Sequence, residues 1–220
     1  MSRVDLLIFD LDGTLIDSKR DLVCAVNATR NHAGMEALDS ETVYSYVGEG
    51  APTLIRRALG PAAADQQVEE ELKFFISYYS QHLVDHTTLY PGVTDTLDRL
   101  AAAGVKMAVL TNKPVRMSRA IVEALGVARL FARVYGGNSF EQKKPHPIGI
   151  ETLMSECDVA RDRTMMVGDS SVDIRTARNA DVRACGVTYG FQPETLAADP
   201  PDLVVDRIEE LADWVTGGEN

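Results

Sequence analysis

Two aspartates near the N-terminus are spaced so that both side chains can face one cleft. Asp10 and Asp12 occur in the segment Asp-Leu-Asp-Gly-Thr at residues 10–14, and side chains two residues apart on an extended chain point to the same side. Two ionised carboxylates about 4 Å apart repel each other by about 4 kcal/mol at an effective dielectric constant of 20. The pair therefore predicts a bound cation or a shared proton, with an ordinary turn at the end of a strand as the alternative.

Gly13 directly follows these two aspartates, and glycine can adopt backbone conformations that other residues avoid. A sharp turn at this position leaves backbone N–H groups free to meet an anion. We therefore expect Gly13 and the acids before it to form one polar site.

Three further segments carry polar side chains just beyond an apolar run or a pair of glycines. They supply Thr111 and Asn112, then Lys144 in a Lys-Pro-His-Pro sequence, and finally Asp169, Ser170 and Asp173. Pro145 biases Lys144 away from helical geometry, so that its amine can be directed outward. In an open parallel sheet the crevice lies beyond the carboxyl ends of the strands. We therefore expect acids, a hydroxyl and an ammonium group around one space, although each residue alone has an ordinary role in a helix cap or on the surface.

Apolar runs alternate with stretches of helical periodicity in most of the chain. The predicted strands cover residues 4–9, 105–110, 164–167, 183–188 and 202–205. The predicted helices between them are Val93–Ala103, Pro114–Leu125, Pro147–Cys157 and Asp173–Ala180. Buried parallel strands that alternate with helices produce this pattern. It predicts an α/β core with a doubly wound, Rossmann-like and mainly parallel sheet, formed by residues 1–16 and 88–220.

Residues 17–87 lack a strand pattern and indicate about four helices. These predicted helices are Asp17–Ala33, Ser40–Val47, Thr53–Leu59 and Val68–His86, with Ser40 as a helix cap. Apolar and aromatic residues of the last segment fall on one stripe, which is typical of a helix bundle core. An all-helical insert after the first strand predicts a cap domain over residues 17–87, joined to the core by linkers near Ile16–Ser18 and His86–Tyr90.

The composition is that of a globular protein and disfavours several classes of partner. The 220 residues are 45% hydrophobic and carry a formal net charge of −11. Basic residues cluster only in pairs such as Arg56-Arg57, so we expect no nucleic-acid binding. No apolar stretch approaches the ~20 residues that span a bilayer, and we expect no membrane partner. Three widely spaced cysteines fit free thiols in a reducing cytoplasm, and an anionic substrate would need cations supplied locally.

The polar segments together resemble the four motifs of the haloacid dehalogenase-like phosphohydrolases. The matching residues, in chain order, are Asp10-x-Asp12-Gly13-Thr14, Thr111, Lys144 and Gly168-Asp169-Ser170-x-x-Asp173. The helical insert stands where the first type of cap of that family would sit. Four further segments are similar to phosphoglycolate phosphatases, namely Val47–Gly50, Tyr90–Val93, Leu110–Pro114 and Gly136-Gly137. One departure from that pattern is Asn138, where many relatives carry Asp.

This resemblance implies a Mg²⁺-dependent phosphatase that works through an aspartyl-phosphate. It implies that Asp10 is the nucleophile and that Asp12 is the general acid and base. The implied phosphate-binding residues are Thr111, Asn112, Lys144 and Gly13. The implied metal ligands are the side chains of Asp10 and Asp169 and the backbone carbonyl of Asp12, supported by Asp173 and Ser170. The implied partner is a small phosphorylated metabolite, with 2-phosphoglycolate the first candidate, for a cytoplasmic monomer or homodimer.

Related chemistries on the same scaffold stay open as alternatives. A sugar-phosphate phosphatase, nucleotidase, pyrophosphatase or sugar-phosphate mutase would differ mainly in its lid contacts. A phosphoacceptor signalling domain shares the Asp, hydroxyl and Lys, but the second acid at Asp12 and the helical insert favour an enzyme. The cap groups that could bind a small carboxylate are Arg56, Arg57, Lys19, Arg20 and the backbone amides of Gly48–Gly50.

Overall fold

A six-stranded parallel sheet forms the centre of the computed structural model, which describes residues 4–217. The strands are β1 (Leu6–Phe9), β2 (Ile16–Asp17), β3 (Thr88–Leu89), β4 (Lys106–Leu110), β5 (Arg133–Tyr135), β6 (Thr164–Gly168), β7 (Arg183–Val187) and β8 (Leu203–Val205). All except β2 and β3 belong to this sheet, in the order β5-β4-β1-β6-β7-β8, and its neighbouring strands are parallel. The predicted core also includes residues 1–3 and 218–220, which lie outside the described residues.

Helices cover both faces of the sheet, so its central strand is completely buried. Leu7 and Phe9 of β1 contribute to one apolar cluster, whereas Leu6 and Ile8 contribute to another. Successive side chains of a strand point to opposite sides, so these clusters lie on opposite faces. A strand that is buried on both faces has a continuous apolar sequence, which explains why residues 4–9 carry such a clear strand signal. The predicted doubly wound α/β fold is confirmed.

The described helices agree closely with the predicted ones. They are α1 (Lys19–His32), α2 (Ser40–Ser45), α3 (Ala51–Leu59), α4 (Asp65–Gln81), α5 (Val93–Ala102), α6 (Val115–Ala124), α7 (Ile148–Cys157), α8 (Ser171–Asn179) and α9 (Ile208–Thr216). The cap of α2 is one residue earlier than predicted, since the Thr42 N–H donates to the Asp39 carboxylate at 2.9 Å and Ser40 is already helical. In the described residues, no helix combines the length and apolar character that a membrane crossing requires.

Two core elements are absent from the sequence-based prediction. β5 is a three-residue edge strand that begins with the polar Arg133, too short for a period of two to be recognised. α9 packs against α5 through a buried stripe that includes Ile208, Leu211 and Val215. The spacing of this stripe is helical, so the sequence does contain the signal for α9.

Helices α1 to α4 share an apolar cluster, which includes Leu22, Val26, Ile55 and Phe75 and which Met117 of α6 joins from the core. Strands β2 and β3 pair antiparallel within the two linkers expected for this insert. The second linker is held by the Asp21 carboxylate, which accepts hydrogen bonds from the backbone N–H groups of His86 and Thr87 at 3.0 and 2.8 Å. We propose that residues 17–87 form the cap and that the β2–β3 ribbon marks its boundary.

Candidate active site

The sheet topology brings the predicted polar residues to one edge. Strand β1 lies between β4 and β6, all three parallel, so their carboxyl ends are adjacent. Asp10 follows β1, Thr111 follows β4 and Asp169 follows β6. Lys144 arrives from the loop before α7, and Asp173 from the first turn of α8. All five of these residues are buried. The three acids form one cluster, Lys144 contacts two of them, and Thr111 lines the same cavity as Asp10 and Asp169, so the side chains meet as the sequence predicted.

Three carboxylates and one ammonium group form the centre of this site. Carboxylate oxygens of Asp10, Asp169 and Asp173 lie within 4.8 Å of one another. Lys144 Nζ lies 2.6 Å from Asp173 Oδ1 and 2.8 Å from Asp10 Oδ1. The contact with Asp10 is an ion pair without hydrogen-bond alignment, because Asp10 Oδ1 accepts no hydrogen bond among the described residues. The cluster therefore has an excess of buried negative charge.

Burial and mutual repulsion change the proton affinity of these groups. Burial raises the pKa of Asp10 to about 6; the Lys144 ammonium opposes this rise and the Asp173 charge adds to it. Burial is the largest cause that raises the pKa of Asp169 to about 8, and the negative charges of Asp173 and Asp10 add to it. For Lys144, the two aspartates that it contacts outweigh burial and hold its pKa above the ordinary value. Lys144 is therefore a fixed positive charge, while the acids attract protons or another cation.

This charge excess predicts an unusual dependence of stability on pH in a buffer free of divalent cations. The folded pKa values of Asp10 and Asp169 are raised above 3.8, so the folded protein holds protons that the unfolded chain releases. Their stabilising contribution is therefore present at low pH and is lost as pH rises from about 4 to about 8. Urea unfolding should give a lower free energy of unfolding at pH 8 than at pH 5.5, on the order of 2 kcal/mol.

The matched variant for this measurement is Asp169→Asn, which removes the carboxyl with the largest shift but keeps its shape. We expect the difference between pH 5.5 and pH 8 to be much smaller in the variant. Equal differences in the wild type and the variant would show that Asp169 does not hold a proton in the metal-free protein.

Gly13 makes the predicted sharp turn, and its own N–H closes that turn. Its φ is +85°, and a Cβ atom at this position would lie 2.4 Å from Asp169 Oδ2. Glycine is therefore required both by the backbone conformation and by the close approach of Asp169. The Gly13 N–H donates to the Ile16 carbonyl at 3.0 Å. The Gly13 N–H thus closes the turn into β2, and a phosphate contact of Gly13 stays a prediction.

The Asp12 side chain lies apart from the acidic cluster in a polar environment of its own. Ser18 Oγ donates to Asp12 Oδ1 at 2.5 Å, and Lys113 Nζ lies 2.9 and 3.1 Å from the two Asp12 oxygens. Lys113 Nζ also donates to the Tyr79 hydroxyl at 2.6 Å. Asp12 therefore connects the core with two residues of the insert, Ser18 directly and Tyr79 through Lys113.

Lys113 and Tyr79 are site residues that the sequence reasoning missed. Lys113 is 6% exposed and Tyr79 is 1% exposed. Burial lowers the pKa of Lys113, but the Asp12 charge and Tyr79 outweigh it and hold that pKa above the ordinary value. Burial raises the pKa of Tyr79 to about 12, so its hydroxyl is neutral at pH 7. The available signal was the position of Lys113, two residues beyond Thr111 and directly before Pro114.

The remaining predicted residues hold the loops of the site in place. Asn112 Nδ2 donates to the Gly48 carbonyl of the insert at 2.9 Å and to the Lys144 carbonyl at 3.1 Å. Ser170 caps α8, since its backbone N–H and its hydroxyl both donate to Asp173 Oδ2, at 3.2 and 2.8 Å. Asp173 is thus fixed by Ser170 on one oxygen and bound to Lys144 through the other.

A cavity of about 50 Å³ lies between the insert and the core, directly above these residues. Asp10, Asp12 and Asp169 line it, and Lys113 is the positively charged residue in the lining among the described residues. Gly48 and Gly50 of the insert also line it.

The four cap cations that were candidates for binding a carboxylate do not belong to this lining. Arg56 pairs with Asp65 and Arg57 pairs with Glu49, each at 2.5 Å. Lys19 Nζ lies over two aromatic rings, 5.3 and 5.2 Å from their centroids, and Arg20 is exposed. None of these four side chains therefore contributes a charge to the cavity lining of the described residues.

Comparisons with known proteins give consistent similarities along nearly the whole chain. Residues 7–187 match a family model described as haloacid dehalogenase-like hydrolase. The phosphoglycolate phosphatase of Vibrio parahaemolyticus is 40% identical over 96% of both chains, and that of Chromobacterium violaceum is 38% identical over 99% of both. The crystal structure of a predicted phosphoglycolate phosphatase from Haemophilus somnus superposes with a TM-score of 0.91 at 31% identity, covering all of both chains.

Proposed function

The chain belongs to the haloacid dehalogenase-like hydrolase family and is a phosphatase, and we propose that it hydrolyses 2-phosphoglycolate with Mg²⁺ through an aspartyl-phosphate. The observation that carries this proposal is the buried group of Asp10, Asp169, Asp173 and Lys144 at the carboxyl edge of the sheet. Its relatives named phosphoglycolate phosphatase support the choice of substrate. A cytoplasmic location and a monomeric or homodimeric state stay predictions.

The donor set of the acidic cluster fits Mg²⁺. This ion prefers carboxylate and carbonyl oxygens and is commonly bound through one or two carboxylates. Asp10 Oδ1 accepts no hydrogen bond among the described residues, and three carboxylates face one ammonium group. We assign the ion to the side chains of Asp10 and Asp169 and to the Asp12 carbonyl. When bound, it supplies positive charge that stabilises the phosphoryl group during transfer.

The side chains divide the reaction into two steps. An Asp10 carboxylate oxygen attacks phosphorus, a P–O bond to Asp10 forms, and the bond from phosphorus to the ester oxygen breaks. Asp12, in its protonated form, gives its proton to the departing alkoxide. The Asp12 carboxylate then takes a proton from a water molecule, which attacks phosphorus and releases inorganic phosphate from Asp10. Asp12 is thereby returned to its protonated form for the next turnover.

Two residues are positioned to hold the phosphoryl oxygens during both steps. The Lys144 ammonium group, fixed by Asp173, neutralises charge next to Asp10, and charge stabilisation of this kind supplies most of the catalysis in phosphoryl transfer. Thr111 Oγ1 accepts the Lys113 N–H at 3.3 Å, which leaves the hydroxyl proton for a phosphoryl oxygen. We place Asn112 beside them as the residue that fixes the Lys144 loop.

The cavity beside the three aspartates has room only for a small group. Its volume of about 50 Å³ is far below the ~300–1,000 Å³ of pockets for drug-sized ligands. A second cavity of about 940 Å³ shares Gly50, Asn112 and Pro114 with it, so this limit applies to the part of the substrate that lies beside the three aspartates.

We expect Mg²⁺-dependent release of inorganic phosphate, with 2-phosphoglycolate giving the highest kcat/KM in a panel of phosphate esters. The panel should include sugar phosphates, nucleotides and pyrophosphate, because these represent the alternative substrates of related enzymes. Activity should disappear with a chelator and return when Mg²⁺ is added. Full activity in metal-free buffer would contradict the proposed mechanism, and a higher kcat/KM for another ester would contradict the proposed substrate.

A further inference from the structure

Lys113 is a buried cation at the wall of the catalytic cavity, and the proposed mechanism gives it no role. The Lys113 ammonium group contacts Asp12 and Tyr79, and Lys113 lines the cavity. Burying an ammonium group is costly unless it is paired. Asp12 and Tyr79 hold this cation at the cavity wall, and it faces one carboxylate, whereas Lys144 faces two.

The distance between Lys113 and Asp12 limits which part of the substrate can reach the ammonium group. Lys113 Nζ lies 2.9 and 3.1 Å from the two Asp12 oxygens. As the general acid, Asp12 must come within hydrogen-bond reach of the ester oxygen. The ammonium group and the ester oxygen are thus neighbours of the same carboxyl group. An anionic group separated from the ester oxygen by only one or two carbon atoms can reach Lys113.

The other charged groups in and near the cavity leave Lys113 as the partner for a substrate carboxylate. Three aspartates line the cavity, and they repel a carboxylate. Lys144 is occupied by Asp10 and Asp173, and the cap arginines pair with surface acids. Among the described residues, Lys113 is therefore the cation that can compensate the charge of a carboxylate inside the cavity.

Building on the proposed function, we propose that Lys113 binds the carboxylate of the substrate and selects phosphate esters that carry an anionic group next to the ester carbon. The three donors of the ammonium group allow it to exchange one Asp12 oxygen for a substrate oxygen.

Tyr79, a residue of the insert, holds the Lys113 ammonium group in position. Its hydroxyl accepts a hydrogen bond from Lys113 at 2.6 Å, and Lys113 Nζ lies 4.5 Å from the centroid of its ring. Both contacts favour the charged side chain at the cavity wall. Because Tyr79 belongs to α4 and Lys113 follows β4, the insert and the core together define the binding position.

The test compares two esters of equal shape, 2-phosphoglycolate and its amide analogue 2-phosphoglycolamide. The wild-type enzyme should prefer the carboxylate ester in kcat/KM by about 10- to 100-fold, as expected for a hydrogen bond to a charged group. Lys113→Met should remove this preference, because a chain of similar length remains without the charge. Tyr79→Phe keeps the charge, so the preference should remain while KM for 2-phosphoglycolate rises several-fold. Circular dichroism and thermal unfolding check that each variant is folded, with Lys113→Gln as a second neutral variant.

The ratio between the two esters separates substrate binding from a role exercised through Asp12. If Lys113→Met lowers kcat/KM equally for both esters, Lys113 serves only to hold Asp12 and the inference is overturned. Equal wild-type rates for the two esters would also overturn it, whatever the folding of the variants. If the wild type hydrolyses neither ester but does hydrolyse other phosphate esters, the proposed substrate itself is wrong.

Discussion

Asp10→Asn should abolish turnover of every phosphate ester, with kcat reduced by about 10⁴-fold or more. The carboxamide keeps the shape of the side chain but is not a nucleophile toward phosphorus, so no covalent intermediate can form. The variant should stay folded, because the substitution removes one of three crowded negative charges and leaves Asp173 as a partner for Lys144. Phosphate release measures the loss, and urea unfolding measures the stability.

The covalent intermediate gives this prediction a second, independent readout. Acid quenching during turnover of a ³²P-labelled ester should leave label on the wild-type chain at Asp10 and none on Asp10→Asn. A matched control is Asp158→Asn, which changes an exposed aspartate in a left-handed conformation that Asn also adopts. This control should retain wild-type activity and label. Substantial turnover by Asp10→Asn, or labelling at another residue, would remove Asp10 from its proposed role.

Asp12→Asn should produce the second largest loss, and its size should depend on the leaving group. An alkoxide needs a proton to depart, so hydrolysis of 2-phosphoglycolate should fall by about 10²- to 10⁴-fold. Nitrophenolate leaves without a proton, so p-nitrophenyl phosphate should be much less affected in the first step. The Asn side chain can still accept hydrogen bonds from Ser18 and Lys113, which contact Asp12 Oδ1 at 2.5 and 2.9 Å. The loss therefore reports proton transfer rather than a displaced side chain.

The second step provides a further signature of the same residue. Without a base, water attacks the aspartyl-phosphate slowly, so p-nitrophenyl phosphate should give a burst of about one nitrophenolate per active site. Rapid-mixing measurements of absorbance would detect this burst. An equal loss for both esters, with no burst, would show that Asp12 is not the general acid and base.

The fold and the meeting of the polar side chains at one sheet edge were predictable because both depend on local patterns. A strand buried on both faces has a continuous apolar sequence, as Leu6–Phe9 does. Once the strands are known to be parallel, the residues that follow them must meet at one edge. Asp10, Thr111 and Asp169 each follow such a strand, so the sequence pattern alone implies their meeting point.

Local patterns also set the limits of what could be inferred. The turn at Gly13 was expected, but the use of its N–H depends on the Ile16 carbonyl, which the folded turn brings within 3.0 Å. The cap arginines were equivalent in the sequence, and only the packed helices pair Arg56 with Asp65 and Arg57 with Glu49. Hydrogen-bond and ion-pair partners of this kind are chosen by three-dimensional proximity.

By itself, the sequence determined the α/β fold, the helical insert and the set of acids, hydroxyl and ammonium groups at the sheet edge. Tertiary structure alone decided how the insert completes the site, since it pairs Lys113 with Tyr79, 34 positions away, and with Asp12, 101 positions away. A lysine in a polar loop is ordinarily solvated, and no spacing rule shows that the insert will bury it. The physical reason is that burial and charge pairing depend on which surfaces pack together, whereas periodicity and turn chemistry act between near neighbours in the chain.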